Sequence, residues 1–257
     1  MRPFRNERKG FGVPRLKDKT IVVTGSASGI GRAAATCCAA DGATVIVVDL
    51  DKVGVDGCVK EINEAGGQAE GHVVDVREDD QVGGLFTSIA DRHKHIDSLI
   101  HAAGILEGAL VPIDEFEELT WDKVIDINLK GSFLMSKHAV PLIEKSASGV
   151  MLLISSGAGV RGGSSSIAYG SSKGGVHGLS LVLAAQLAGR NIRVHGICPG
   201  ALATPLKLRQ VEKSARATGG DFEKMAASLG DPKGVGKILA FLVSDDADYV
   251  RGTIFTR

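Results

Sequence analysis

No stretch of the 257-residue sequence approaches the roughly 20 consecutive apolar residues that a membrane-spanning helix needs. The longest apolar run, Leu179 to Ala188, is broken by Ser180 and Gln186. Net charge is missing too, because 30 Lys/Arg balance 30 Asp/Glu. A dedicated nucleic-acid binder carries a basic excess, so that class is set aside. Aromatic residues make up 4% of the chain, too few for a platform that stacks single-stranded bases. The four cysteines, Cys37, Cys38, Cys58 and Cys198, form no CxxC pair. That pattern points to free thiols in a reducing compartment, and hence to a cytoplasmic location. His93 and His95 resemble a ligand pair without a third partner, so no metal is assigned.

Glycine, by contrast, is abundant, with 34 residues and no collagen-like period. Such glycines serve turns and close backbone approaches. Residues 1–19 carry seven Lys/Arg against Glu7 and Asp18, without the apolar core of a signal peptide. They read as a flexible basic extension ahead of one catalytic domain, residues 20–257. From Thr20 onward, β-branched runs at 20–24, 44–49, 69–74, 98–101, 150–155, 193–198 and 253–255 alternate with helical segments at 29–40, 53–65, 79–93, 120–145, 167–189 and 231–243. Continuous apolar runs such as Val45-Ile46-Val47-Val48 imply strands buried on both faces. The alternation predicts a single-domain α/β fold, a parallel sheet with helices on both sides.

The first strand ends in Thr24-Gly25-Ser26-Ala27-Ser28-Gly29-Ile30-Gly31, followed by a helix. Glycines here permit a tight turn, approach of a pyrophosphate and close helix–strand packing, and the helix N-terminus attracts the anion. Asp49 closes the second strand 18 residues later, where a carboxylate can hold the adenosine ribose hydroxyls and repel a 2′-phosphate. Alone it reads equally well as a solvated strand-end acid; behind the glycine loop, the cofactor reading prevails and favours NAD(H). Lys52 and Arg77 could soften that preference. Asp75 could accept from an adenine amino group, with an ordinary loop acid the equal alternative. Gly104 follows the fourth strand, where small residues let backbone pass beside the cofactor.

Of two tyrosines, only Tyr169 has a lysine four residues on, Lys173, on the same helix face. A tyrosine titrates near 10, and lowering that by about 3 units needs about 4 kcal/mol of preferential phenolate stabilisation. A neighbouring ammonium and an oxidised nicotinamide can supply it, making Tyr169 a general acid/base. Ser156 closes the fifth strand, at the sheet edge where α/β folds bind ligands. For Ser156 alone a turn role is favoured, and holding the substrate oxygen is the alternative. Asn128 falls mid-helix, where asparagine is mildly unfavourable. A surface position or a buried amide ordering a water near Lys173 would account for it.

These motifs resemble the short-chain dehydrogenase/reductase family, compact single-domain branch, from about Lys17 to Gly252. The 13-residue spacing from Ser156 to Tyr169 matches the family's. The resemblance implies a Rossmann-type, doubly wound, three-layered fold and a catalytic tetrad of Asn128, Ser156, Tyr169 and Lys173. It also implies cofactor contacts from Gly25, Ser28, Gly29, Ile30, Gly31, Asp49, Asp75, Val76, Ala103, Gly104, Tyr169, Lys173, Pro199, Gly200 and Thr204, with Thr204 meeting the nicotinamide carboxamide. Two departures stand out. His101 occupies a place where the family often has asparagine, which favours a buried, hydrogen-bonded histidine. The chain also ends at Phe255-Thr256-Arg257, short of the usual Asp-Gly-Gly.

By the same resemblance, residues 201–230 form a variable substrate lid opposite a small polar wall at 158–166. Lys207, Arg209, Lys213 and Arg216 make the lid basic, and a solvated helix face is favoured over attraction of an acidic substrate. Glycines 170, 174, 175 and 178 suggest close packing against the cofactor or a neighbouring subunit, and a homo-oligomer, dimer or tetramer, is expected. The expected function is NAD-dependent hydride transfer on a small-molecule secondary alcohol or ketone, with no nucleic-acid or membrane partner. An NADPH-dependent 3-oxoacyl thioester reductase and a catalytically silent NAD-binding protein are the alternatives.

Overall fold

The computed structural model describes residues 14–256, so residues 1–13 of the basic extension, and Arg257, lie outside it. The strands are β1 (Thr20–Thr24), β2 (Thr44–Asp49), β3 (Gln68–Val73), β4 (Ser98–His101), β5 (Gly149–Ile154), β6 (Ile192–Cys198) and β7 (Ile254–Phe255). Among the described residues they form one parallel sheet in the order β3-β2-β1-β4-β5-β6-β7. The order reverses between β1 and β4, which opens a crevice at the carboxyl ends of these strands. Alternate residues feed two cores: Ile21, Val23, Val45 and Val47 on one face, Val22, Ile46, Leu99 and Met151 on the other. Two buried faces explain why these strands read as unbroken apolar runs.

Helices α1 (Gly29–Ala40), α2 (Lys52–Glu64) and α3 (Asp79–Arg92) alternate with the first strands. The single helix expected over 120–145 is two, α4 (Glu118–Ile125) and α5 (Gly131–Ile143), joined by a π-helical turn at Asp126–Lys130. That turn contains Asn128, and such wide turns often mark functional sites. Next come α6 (Gly157–Arg161) and α7 (Ile167–Leu187), then the lid helices α8 (Pro205–Thr218) and α9 (Phe222–Ala227), and finally α10 (Pro232–Leu242). A Leu202–Gly230 bridge closes the base of the lid. Among the described residues, no helix is long and apolar enough to cross a membrane.

The packed chain starts earlier than Thr20. Leu16 is fully buried, and its N–H donates to Asp41 O at 2.9 Å. The basic composition of the segment masked this one apolar anchor. The glycines of α7 also find a different use from the expected one. A side chain at Gly170 would press on Ser164, at Gly174 on the Gly159 carbonyl, and at Gly175 on Leu129. Three of the four thus serve packing within the chain, and only Gly178 faces open space.

Candidate functional site

A cavity of about 770 Å³ runs along the carboxyl ends of β1, β2, β4, β5 and β6. It gathers residues from loops far apart in sequence: Gly25, Ser28, Gly29, Ile30 and Gly31 after β1, Asp49 after β2, Asp75 and Val76 after β3, and Ala103 and Gly104 after β4. Ser156, Tyr169, Lys173, Pro199, Gly200 and Thr204 complete the wall. Of the residues nominated by sequence, Asn128 alone is absent from the lining, and it lies fully buried behind it.

Capping places several of these side chains. Ser156 is extended (φ −162°, ψ 148°), and its hydroxyl accepts from Ala158 N at 3.2 Å to start α6. Ser166 starts α7 by accepting from Tyr169 N at 3.3 Å. Thr204 starts α8 by accepting from Lys207 N at 3.2 Å. Serine and threonine at these positions satisfy otherwise orphaned helix N–H groups. The turn role favoured for Ser156 therefore coexists with a place on the cavity wall.

Lys173 is buried, and its Nζ donates to Ile154 O at 2.7 Å. Its own carbonyl accepts from Ser155 Oγ at 2.7 Å, so the last residue of β5 and the one after it grip the lysine at both ends. Burial pulls its ammonium down to about 8. The Nζ lies 5.8 Å from the centroid of the Tyr169 ring. Burial pushes the Tyr169 phenol up, and the nearby Ser156 hydroxyl partly offsets this. The lowering expected from sequence is therefore not a property of the protein alone, because desolvation of the phenolate outweighs its protein partners.

The Asn128 amide is held by the chain itself. Its Oδ1 accepts from Ile105 N at 2.8 Å, while its Nδ2 donates to Ile105 O at 3.0 Å and to Ser172 Oγ at 2.9 Å. The amide thus pins the chain just past Gly104. A side chain at Gly104 would come to 3.1 Å from Asn128 Oδ1 and 3.2 Å from Lys173 Nζ, so this glycine separates the two groups.

At the far end, Asp49 Oδ2 accepts from Ala27 N at 3.0 Å and Oδ1 from Asp51 N at 3.1 Å. The carboxylate thereby ties the glycine loop to β2. Asp75 is engaged by Arg77, at 2.6 Å to Nη2 and 3.0 Å to Nε, and this guanidinium holds its carboxyl below the usual range. Lys52 is paired with Asp56 at 2.7 Å.

His101 is buried and structural in its contacts. Thr24 Oγ1 accepts from Ala102 N at 3.1 Å and Ala103 N at 3.2 Å, which leaves its own proton for His101 Nδ1 at 2.8 Å. The imidazole proton then sits on Nε2, which is buried without a hydrogen-bond partner among the described residues. Burial, reinforced by the charge of Lys173, pulls His101 down to about 3. The unfolded chain takes up this proton near 6.5, the folded chain only near 3. Stability is therefore fully present above pH 6.5 and declines as pH falls toward 3, by about 1.4 kcal/mol per unit from this one group. In His101→Asn that component should vanish, giving a shallower loss in urea denaturation between pH 7 and 4.5. Equal slopes in the two proteins would mean the folded imidazole takes up its proton as readily as the unfolded one.

Sequence reasoning missed Thr24, Ser155, Ser172 and the Ile105 backbone, the supports behind the wall. Nothing local marks them, since each acts through a residue 18 to 79 positions away or on another element. It also missed the Lys123–Glu107 ion pair at 2.7 Å, whose two members line the cavity.

Comparison with known proteins identifies the family. Residues 19–215 match the family described as short chain dehydrogenase. The 3-oxoacyl-[acyl-carrier-protein] reductase of Thermotoga maritima is 37% identical over 240 residues, covering 93% of this chain and 96% of that protein. Levodione reductase of Leifsonia aquatica is 33% identical over 248 residues, covering 93% and 92%. The crystal structure of levodione reductase superposes with a TM-score of 0.86 at 30% identity, covering 93% of this chain and 96% of that one. The chain belongs to the short-chain dehydrogenase/reductase family of oxidoreductases, which act on CH–OH groups.

Proposed function

We propose that the protein is an NAD(H)-dependent oxidoreductase that interconverts a small secondary alcohol and its ketone, with Tyr169 as general acid/base. The observation that carries this reading is the convergence of Ser156, Tyr169 and Lys173 on one wall of a cavity whose other end is Asp49. A dinucleotide fits the residues present. Side chains at Gly25 or Gly31 would collide with the backbone of Ala102–Ala103 or of the loop itself, so glycine keeps this turn tight, and the first turn of α1 holds no acid to repel a diphosphate. When bound, the nicotinamide supplies the hydride acceptor or donor and, if oxidised, a positive charge. Ser156 Oγ orients the substrate oxygen, and Tyr169 takes its proton in oxidation or returns it in reduction. The Lys173 ammonium favours the phenolate by opposite-charge attraction. Asn128 is a positioning residue that fixes Ile105 and, through it, Gly104.

The preference for NAD(H) rests on Asp49, reinforced by the pairing of nearby cations. Arg77 is held by Asp75 and Lys52 by Asp56, so neither is a free partner for a 2′-phosphate. Asp49→Ala should weaken NAD(H) binding and shift the NAD(H)/NADP(H) ratio of kcat/KM at least tenfold toward NADP(H). Asp49→Asn controls for the loop anchor at Ala27 N. Unchanged relative affinities in both variants would remove Asp49 from this role. A second reading, NADPH-dependent reduction of a 3-oxoacyl thioester, is favoured by the 37% identity to a 3-oxoacyl-[acyl-carrier-protein] reductase. Turnover of an acetoacetyl thioester with NADPH exceeding that of ketones with NADH would establish it instead.

We further propose a homo-oligomer and a cytoplasmic location. The exposed apolar side chains Phe133 on α5 and Leu181 and Val182 on α7 support the first. The free cysteines support the second.

A further inference from the structure

Among the described residues, four cationic side chains line the cavity: Arg77, Lys123, Lys173 and Lys207. Three have evident employment. Arg77 neutralises Asp75, Lys123 neutralises Glu107, and Lys173 donates to Ile154 O beside Tyr169. Lys207 is different. Its Nζ donates to Gln210 Oε1 at 2.6 Å, and Gln210 Nε2 in turn donates to Ser214 Oγ at 2.8 Å. That relay fixes the ammonium in place with a neutral acceptor, and no carboxylate of the described residues lies within ion-pair distance. Partial burial without compensating charge pulls Lys207 below the ordinary lysine value.

Local structure gives no reason for a cation here. Lys207 is the third residue of α8, where the helix dipole disfavours positive charge, and the first turn contains no acid to balance it. A cation held at a local cost and left without a countercharge in a ligand cavity is matched by an anion brought by the ligand. We propose that Lys207 binds a carboxylate or phosphate carried by the substrate, which makes anionic alcohols and ketones the preferred class. This deepens the oxidoreductase reading and rests on it. It also revises the solvated-face reading of the basic lid for this one residue, because Lys207 faces the cavity while Arg216 pairs with Glu212 outside it.

A second anion could share the cavity. Thr204 lies against Gly29 at the start of α1, so the loop that would hold a cofactor diphosphate borders the same region. The test therefore measures substrate and cofactor separately, in the full chain and in Lys207→Gln and Lys207→Arg. The first readout is the ratio of kcat/KM for 4-oxocyclohexanecarboxylate over cyclohexanone with NADH. It should exceed one in the unmodified protein, fall about tenfold in Lys207→Gln, and be largely restored in Lys207→Arg. The second readout needs no turnover: at saturating NADH, cyclohexanecarboxylate should raise the melting temperature more than cyclohexanol, and Lys207→Gln should abolish the difference. The third is the NADH dissociation constant by fluorescence.

No preference for the carboxylate in the unmodified protein overturns the proposal. So does a Lys207→Gln variant that weakens NADH binding and leaves the substrate ratio intact, since the anion is then the diphosphate. A carboxylate preference in melting without turnover of any alcohol or ketone would retain Lys207 and overturn the proposed reaction.

Discussion

Tyr169→Phe should lower kcat about a thousandfold while leaving NADH affinity nearly unchanged. The variant keeps the ring, its burial and the Ser166 cap on its backbone N–H, and loses only the proton that the chemistry moves. General acid/base catalysis contributes about 10²–10⁴-fold, which sets the size of the loss. The pH profile gives a finer check. Without ligand the phenol is pushed up by burial, so the base is made only when positive charge is added near it. Alcohol oxidation needs the phenolate, so its kcat/KM should fall as pH drops below the apparent pKa; ketone reduction needs the phenol and should show the opposite slope. Lys173→Met should move the inflection upward by removing one of the two charges. Stopped-flow absorbance at the reduced nicotinamide band measures both. Activity that survives Tyr169→Phe at a tenth or more of normal would assign the proton transfer elsewhere.

Gly31→Ala should abolish measurable cofactor binding, with an NADH dissociation constant raised at least a hundredfold. A methyl at this position would overlap the carbonyl oxygen of Gly25 and crowd that of Thr24. Both obstacles are backbone, so no rotamer relieves the overlap and the glycine loop must move off β1. Gly25 has little room toward β4, where even a side chain of its own would collide with the Ala102–Ala103 peptide, and it holds φ at 65°. The displaced loop would also loosen the Asp49–Ala27 contact. Isothermal titration with NADH, together with the melting temperature, separates loss of binding from loss of fold. A fold that melts normally and binds NADH normally would show that the loop is plastic. Gly84→Ala on α3 is the matched control: its added methyl meets no described atom, so stability should rise slightly through helix propensity.

Strand positions were legible because each central strand is apolar on both faces, a pattern that survives without knowledge of its partners. The glycine loop and the Tyr169/Lys173 pair were legible for a similar reason: each is a short motif whose chemistry depends on neighbours three to six residues apart. The lid helix α8 was not. Its surface is rich in charge, with Lys207, Arg209, Glu212, Lys213 and Arg216 within one segment, and only Val211 and Ala215 are buried. Two buried side chains give too weak a period to distinguish a helix from a polar loop. The π-helical turn was invisible as well, because one extra residue in a helix leaves the composition unchanged while rotating Asn128 inward.

The sequence by itself determined the parallel sheet with helices on both sides, the glycine loop, the acid at the end of β2 and the pairing of Tyr169 with Lys173. All of these follow from local periodicity and motif spacing. Only the tertiary structure decided the electrostatic state of the site. Burial raises Tyr169 and lowers Lys173 and His101, Asp75 captures Arg77, and Lys207 faces the cavity without a countercharge. A side chain's charge depends on the dielectric and partners around it, and those come from segments that meet only when the chain folds.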